Sequence, residues 1–134
     1  MKILINIDVP ELTHAITFYC TAFNLRLNRI LDDDVAELVG ASSVIYLLQK
    51  ENDSRFSNSV AGSRRYTRHW TPIHVDFVVD DIDKAVEKVI SAGAKLESEC
   101  TDWRNSKCIT FSDPFGNGFC LIEFDGETYS DANE

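Results

Sequence analysis

The sequence predicts an α+β fold made of two β-α-β-β-β modules, and three observations predict it. Asp8-Val9-Pro10-Glu11-Leu12-Thr13-His14-Ala15-Ile16 and Val78-Val79-Asp80-Asp81-Ile82-Asp83-Lys84-Ala85-Val86 each pass from a strand-like stretch into an amphipathic helix, about seventy positions apart. Each copy continues with three further β-like runs. A polar segment separates the copies. Repetition at this period means two copies of one small unit, and paired units naturally enclose a cleft between them.

The elements follow in order. Ile3, Ile5, Ile7 and Val9 alternate with Leu4, Asn6 and Asp8, the pattern of a strand with one face on the core. From Leu12 the period becomes helical, with Leu12, Ile16, Tyr19, Cys20 and Phe23 as the apolar stripe and Asn24 as the terminating residue. Leu25–Leu31, Val35–Val39 and Val44–Gln49 read as strands separated by Asp32-Asp33-Asp34 and Gly40-Ala41-Ser42-Ser43. In the second module Ile73, Val75, Phe77 and Val79 alternate with His74, Asp76 and Val78. A helix follows from about Asp81 with Ile82, Ala85, Val86, Val89 and Ile90 buried, and Gly93 closes it. Lys95–Cys100, Lys107–Ser112 and Gly118–Phe124 are the remaining strands, the last entered through the turn Asp113-Pro114-Phe115-Gly116-Asn117.

The boundaries are one domain over 1–134, with module one at about 1–50, a linker at about 51–71, module two at about 72–125 and an acidic tail at 126–134 that is expected to fray. The linker collects Arg55, Arg64, Arg65 and Arg68. An anion-binding arm is one reading of that charge; pairing with the protein's own acidic surface is the plainer one.

Composition limits the partners. With 134 residues, 44% hydrophobic content and a formal charge of −9, the chain has enough apolar residues for a core. It lacks the basic face that a nucleic acid or an acidic membrane requires. No apolar run approaches the ~18 residues of a membrane span, and Met1 to Asn6 is too short an apolar start for a signal peptide. Cys20, Cys100, Cys108 and Cys120 show no C-x-x-C spacing and suit a reducing cytoplasm as small apolar residues. The expected location is cytoplasmic.

The double β-α-β-β-β unit has three further marks: Phe18-Tyr19 with Phe23-Asn24-Leu25 at the first helix, Asp113-Pro114-Phe115-Gly116-Asn117 before the last strand, and Ile122-Glu123 at its end. Together they make the chain resemble the vicinal oxygen chelate superfamily of glyoxalase I, extradiol dioxygenases and bleomycin-resistance proteins. The resemblance runs from Ile3 to Phe124. Arg68-His69-Trp70-Thr71-Pro72 and Phe119-Cys120-Leu121 are similar to its uncharacterised bacterial glyoxalase-like branch. It implies two modules forming an incomplete barrel around a central cavity, a homodimer, and a divalent ion (zinc, nickel, manganese or iron) held at four positions, two from each module. Carried over, the second module supplies His74 and Glu123. The first has Leu4 in the place of His74, and its late-strand position falls somewhere in Tyr46-Leu47-Leu48-Gln49, where Gln49 offers a weak carbonyl oxygen and Tyr46 a phenol.

Alternation puts His74 on a face with Asp76, and Glu123 on a face with Phe119 and Leu121. Two firm ligands and a weak one fall short of the three protein ligands plus water of a catalytic zinc. The leading expectation is therefore a small organic ligand in the cavity, without an intact metal site, with Asn6, Tyr46, Asp76, His69, Trp103 and Phe119 lining it. Trp70 is a further stacking surface, although aromatics in such a chain are mostly core. The alternative is a divalent-metal-dependent lyase, isomerase or dioxygenase in which Glu123 moves a proton beside the ion. A non-enzymatic interaction module is the third reading.

Overall fold

The computed structural model describes residues 1–131, which divide into two compact units on either side of the Thr67–Arg68 boundary. Unit 1 runs β1 (Ile5–Val9), α1 (Leu12–Phe23), β2 (Arg26–Leu31), β3 (Val35–Val39) and β4 (Ile45–Gln49). Unit 2 runs β5 (Val75–Val78), α2 (Ile82–Ala92), β6 (Lys95–Leu96), β7 (Thr101–Trp103), β8 (Ser106–Ser112) and β9 (Gly118–Phe124). The expected β-α-β-β-β order is present in unit 1, whereas unit 2 has a further short strand, β7, that was not expected. The stretch expected as one strand, Lys95–Cys100, is broken: Ser98 Oγ accepts the Thr110 N–H at 2.9 Å, so a side chain takes the place of a ladder carbonyl.

Each unit is an open sheet with one helix. The orders are β1-β4-β3-β2 and β5-β9-β8-β6, with β7 paired to β8. The outer pairs β1–β4 and β5–β9 are parallel and the rest antiparallel. A parallel return needs a crossover, and each helix lies between the strand that opens its unit and the rest of the sheet.

Local chemistry fixes the helix ends. Glu11 caps α1 by accepting from the backbone of Thr13 and His14, and Asn24 ends it in the left-handed conformation at φ 57°. Asp81 caps α2 through Lys84 N–H. Gly93, at φ 123°, donates its N–H to the carbonyls of Val89 and Ile90. The buried stripe of α1 is Leu12, Ala15, Phe18, Tyr19 and Ala22, rotated from the expected one, and on α2 Ile90 is exposed.

The core of each unit lies between helix and sheet. In unit 1 it holds Val9, Phe18, Leu38, Ile45 and Leu47; in unit 2, Val89, Phe111, Phe119 and Leu121. Phe119 stacks on Phe111 with ring centroids 5.5 Å apart and meets Phe77 edge-on at 5.8 Å. Each such side chain contributes about 2–3 kcal/mol relative to an exposed one.

The turn before β9 is built on one buried carboxylate. Asp113 Oδ1 accepts from the backbone of Phe115 and Asn117 at 2.8 Å each, and Oδ2 from Asn117 Nδ2 at 3.0 Å. This Asx turn sets where β9 begins, and hence which of its residues face β5 and β8.

The arginines of the segment between the modules follow the plainer reading. Arg64 pairs with Asp8 at 2.8 Å, Arg65 with Asp53 at 3.7 Å and Arg68 with Glu97 at 2.6 Å, while Arg55 donates to the Val60 carbonyl. The tail expected to fray is pinned as far as Ser130, whose N–H donates to the Arg104 carbonyl at 3.0 Å. Residues 132–134 of that tail lie outside the described residues. Among the described residues, no helix is long and apolar enough to cross a membrane.

Candidate functional site

Paired residues in register share a face of a sheet. In unit 2, Val75 is opposite Phe119 and Phe77 opposite Leu121, which places the row Phe119, Leu121, Glu123 on the face that packs against α2. The intervening row, Asp76, Cys120 and Thr110, lies across β5, β9 and β8 on the other face. His74, two residues before Asp76, joins that row.

The donors converge there. His74 Nε2 lies 3.1 Å from Asp76 Oδ1, and Thr110 Oγ1 lies 3.4 Å from Cys120 Sγ. One ligand atom from each of His74, Asp76 and Cys120 falls within 4.8 Å of the others. His74 and Asp76 are open to solvent, and Cys120 is buried below them. Cys108 adjoins Cys120 on the same face. Burial pushes both thiols up, Cys108 to about 12 with the neighbouring Cys120 adding to the effect.

A second set of contacts steadies His74. Its ring lies 4.9 Å from that of Trp70, and the Arg68 guanidinium lies 5.5 Å from the Trp70 centroid. Arg68 is held by Glu97 through Nε at 2.6 Å and Nη2 at 2.7 Å, and also donates to the His69 carbonyl. Gly118 makes room for it: a Cβ there would lie 2.5 Å from Arg68 Nη2.

The β7–β8 hairpin and the tail form the next layer. Arg104 and Asn105, at φ 47° and 62°, make the tight turn. Tyr129 packs edge-on against Trp103 at 5.1 Å and Phe124 at 4.8 Å. Its phenol is raised chiefly by burial, then by the charges of Asp76, Cys108 and Cys120. The tail thus brings Tyr129 within electrostatic reach of the donor cluster.

Unit 1 spends the corresponding positions differently. Its row is Asn6, Tyr46, Glu37 and Arg29, with Leu4 in the place of His74. Glu37 accepts from Tyr46 at 2.7 Å, Asn28 at 2.7 Å, and Arg29 at 3.0 and 3.2 Å. The Arg29 guanidinium, then Asn28 and Tyr46, lowers the Glu37 carboxyl to about 2.

The residues expected to form the site fall in both units. His74 and Asp76 come together. Glu123 lies on the opposite face, where its carboxylate accepts the Ile82 N–H at 3.0 Å at the start of α2. Gln49 does the same in unit 1, accepting the Leu12 N–H at 2.9 Å. Phe119 is buried in the unit 2 core. Tyr46 is held by Glu37, Asn6 is exposed beside it, and His69 and Trp103 are exposed on unit 2. A groove of about 300 Å³ lined by Trp103, Arg104, Lys107 and Glu123 contains Trp103 and Glu123 but not His74.

Leu4 is apolar, Gln49 and Tyr46 are engaged, and among the described residues the one group suited to a metal lies in unit 2. Sequence reasoning missed Cys120 and Thr110. The signal was present: Phe119, Leu121 and Glu123 share a parity with the helix-facing strand residues, which leaves Cys120 facing His74.

The model of the glyoxalase-like domain matches residues 4–122. The chain belongs to the glyoxalase-like domain family. Its solved neighbours share its fold. A hypothetical protein from S. aureus has 21% identity and a TM-score of 0.72, covering 92% of this chain and 93% of that one. Lactoylglutathione lyase from Agrobacterium tumefaciens has 18% identity and a TM-score of 0.63, with 92% of each chain covered. A genomically encoded fosfomycin resistance protein from Listeria monocytogenes has 17% identity and a TM-score of 0.66, again with 92% of each covered. At these identities the likeness of the glyoxalase-like protein to them is one of fold. No curated protein matches it in sequence.

Proposed function

We propose that this glyoxalase-like protein binds a small organic ligand on the open face of its second sheet, without an intact metal site. The observation that carries the reading is the contrast between the two equivalent rows. In unit 1 the row is closed around Glu37; in unit 2, His74 and Asp76 are open to solvent beside the exposed ring of Trp70. A ring plus hydrogen-bonding groups suits a planar molecule with N–H or O–H donors: stacking on Trp70 supplies area and Asp76 supplies an acceptor. The net charge of −9 disfavours a strongly anionic ligand.

The second reading, a metal-dependent lyase, isomerase or dioxygenase, draws on the same His74–Asp76–Cys120 group. Tryptophan fluorescence separates the two. Catechol and its non-chelating isomer resorcinol are titrated with EDTA present, into wild type and Trp70→Ala. Quenching by both isomers that is lost in Trp70→Ala supports the first reading. Binding of catechol alone, and only without EDTA, replaces it with the second.

A further inference from the structure

We infer that the tail completes this surface, an inference that rests on its being the ligand site. Tyr129 walls the end away from Trp70 and selects a flat ligand of two linked rings. Register puts the parts on one side of the sheet. Asp76 pairs with Cys120, Ile122 with both Val78 and Cys108, and Ser106 with both Trp103 and Phe124. Every second residue of a strand shares a face, so Trp103 and Phe124 lie on the face of His74 and Asp76. Tyr129 packs edge-on against both rings, at 5.1 and 4.8 Å, and so belongs to that face.

The tail is held there by more than its ring. Ser130 N–H donates to the Arg104 carbonyl at 3.0 Å, and Arg104 Nη1 donates to the Ser130 carbonyl at 3.2 Å. Gly126, at φ 122°, turns the chain back after β9 in a conformation that other residues disfavour. A residue needed only to pin the tail could be phenylalanine. Tyr129 is 39% exposed, and its phenol makes no hydrogen bond among the described residues. Burial, then the charge of Asp76, pushes the phenol up, so it stays protonated and can donate to a ligand.

The span between the two walls sets the ligand. From the Asp76–Cys120 pair to Phe124 is four residues along β9, about 13 Å at the rise of a strand. A single ring stacked on Trp70 stops short of Tyr129, and a second linked ring reaches it. Between the ends Val78 is 65% exposed beside its buried partner Ile122, so the middle of the span is apolar. An apolar middle with a carboxylate towards one end and a phenol at the other suits a rigid two-ring molecule carrying a hydroxyl at each end.

The test compares para,para′-biphenol with the single-ring resorcinol by calorimetric titration of the full-length protein, with EDTA present. Wild type is expected to bind the biphenol about tenfold more tightly than resorcinol. Tyr129→Ala is expected to remove that preference. Tyr129→Phe keeps the packing on Trp103 and Phe124, so it serves even if the alanine variant folds poorly. It is expected to lose about fivefold in biphenol affinity through the missing hydroxyl. An unchanged preference in both variants overturns the inference, because the tyrosine then only anchors the tail. Tighter biphenol binding by Tyr129→Ala also overturns it, because the tyrosine then blocks the face. Resorcinol binding that survives Trp70→Ala instead overturns the ligand surface itself, so the two failures are told apart.

Discussion

Gln49 and Glu123 do the same work in the two units. Each lies at or just beyond the parallel pairing of its unit's last and first strands, and each accepts the first N–H of its unit's helix: Leu12 for Gln49 at 2.9 Å, Ile82 for Glu123 at 3.0 Å. The first N–H groups of a helix have no partner within it, and a side chain carried on a neighbouring strand supplies one. The two residues tie helix to sheet. The chemistry falls to the row on the opposite face.

Glu123→Gln is expected to be nearly neutral, because the amide oxygen accepts the same hydrogen bond that Gln49 already accepts in unit 1. Glu123→Ala removes the acceptor and is expected to destabilise by about 1 kcal/mol, typical of a lost helix cap. Urea denaturation of the two variants measures both. Equal loss in both would mean that the charge, not the hydrogen bond, matters at this helix end.

Gly118→Ala is expected to cost about 1–3 kcal/mol. Its new Cβ meets the Arg68 guanidinium, which must shift and so disturbs its bidentate pair with Glu97. The displaced Arg68 no longer supports Trp70, so the tryptophan emission should shift. Truncating Arg68 relieves the clash, so a double-mutant cycle should give Gly118→Ala a smaller cost in an Arg68→Ala background.

Unit 1 predicts an acid-sensitive term. The Glu37 carboxyl is lowered from 4.5 to about 2 by Arg29, Asn28 and Tyr46. A depressed folded value means the stabilisation is fully present above about pH 4.5 and disappears as the pH falls through 2. Glu37→Gln should flatten stability against pH within that window. Urea midpoints over the acid range check this, and an unchanged slope in the variant would exclude Glu37 as the source.

The architecture was legible because alternation, helical period and turn chemistry agree locally. Asn24, Asp81 and Gly93 end or begin helices where their chemistry suits. The site was half legible. His74 and Asp76 share a face by simple parity, but pairing His74 with Glu123 ignored the same parity. Glu123 belongs with Phe119 and Leu121, whose partners Val75 and Phe77 face the helix. The break of the expected Lys95–Cys100 strand was hidden for another reason. It depends on Ser98 meeting Thr110, a contact between residues twelve apart in sequence. The anchoring of Tyr129 between Trp103 and Phe124 is likewise tertiary, and composition alone suggests a loose tail.

The most direct test sets Trp70 against Glu123. Resorcinol is titrated with EDTA present into wild type, Trp70→Ala and Glu123→Gln, with tryptophan fluorescence as the readout. The account predicts quenching in wild type and in Glu123→Gln with the same affinity, and its loss in Trp70→Ala. Unchanged quenching in Trp70→Ala, or its loss in Glu123→Gln, would contradict it.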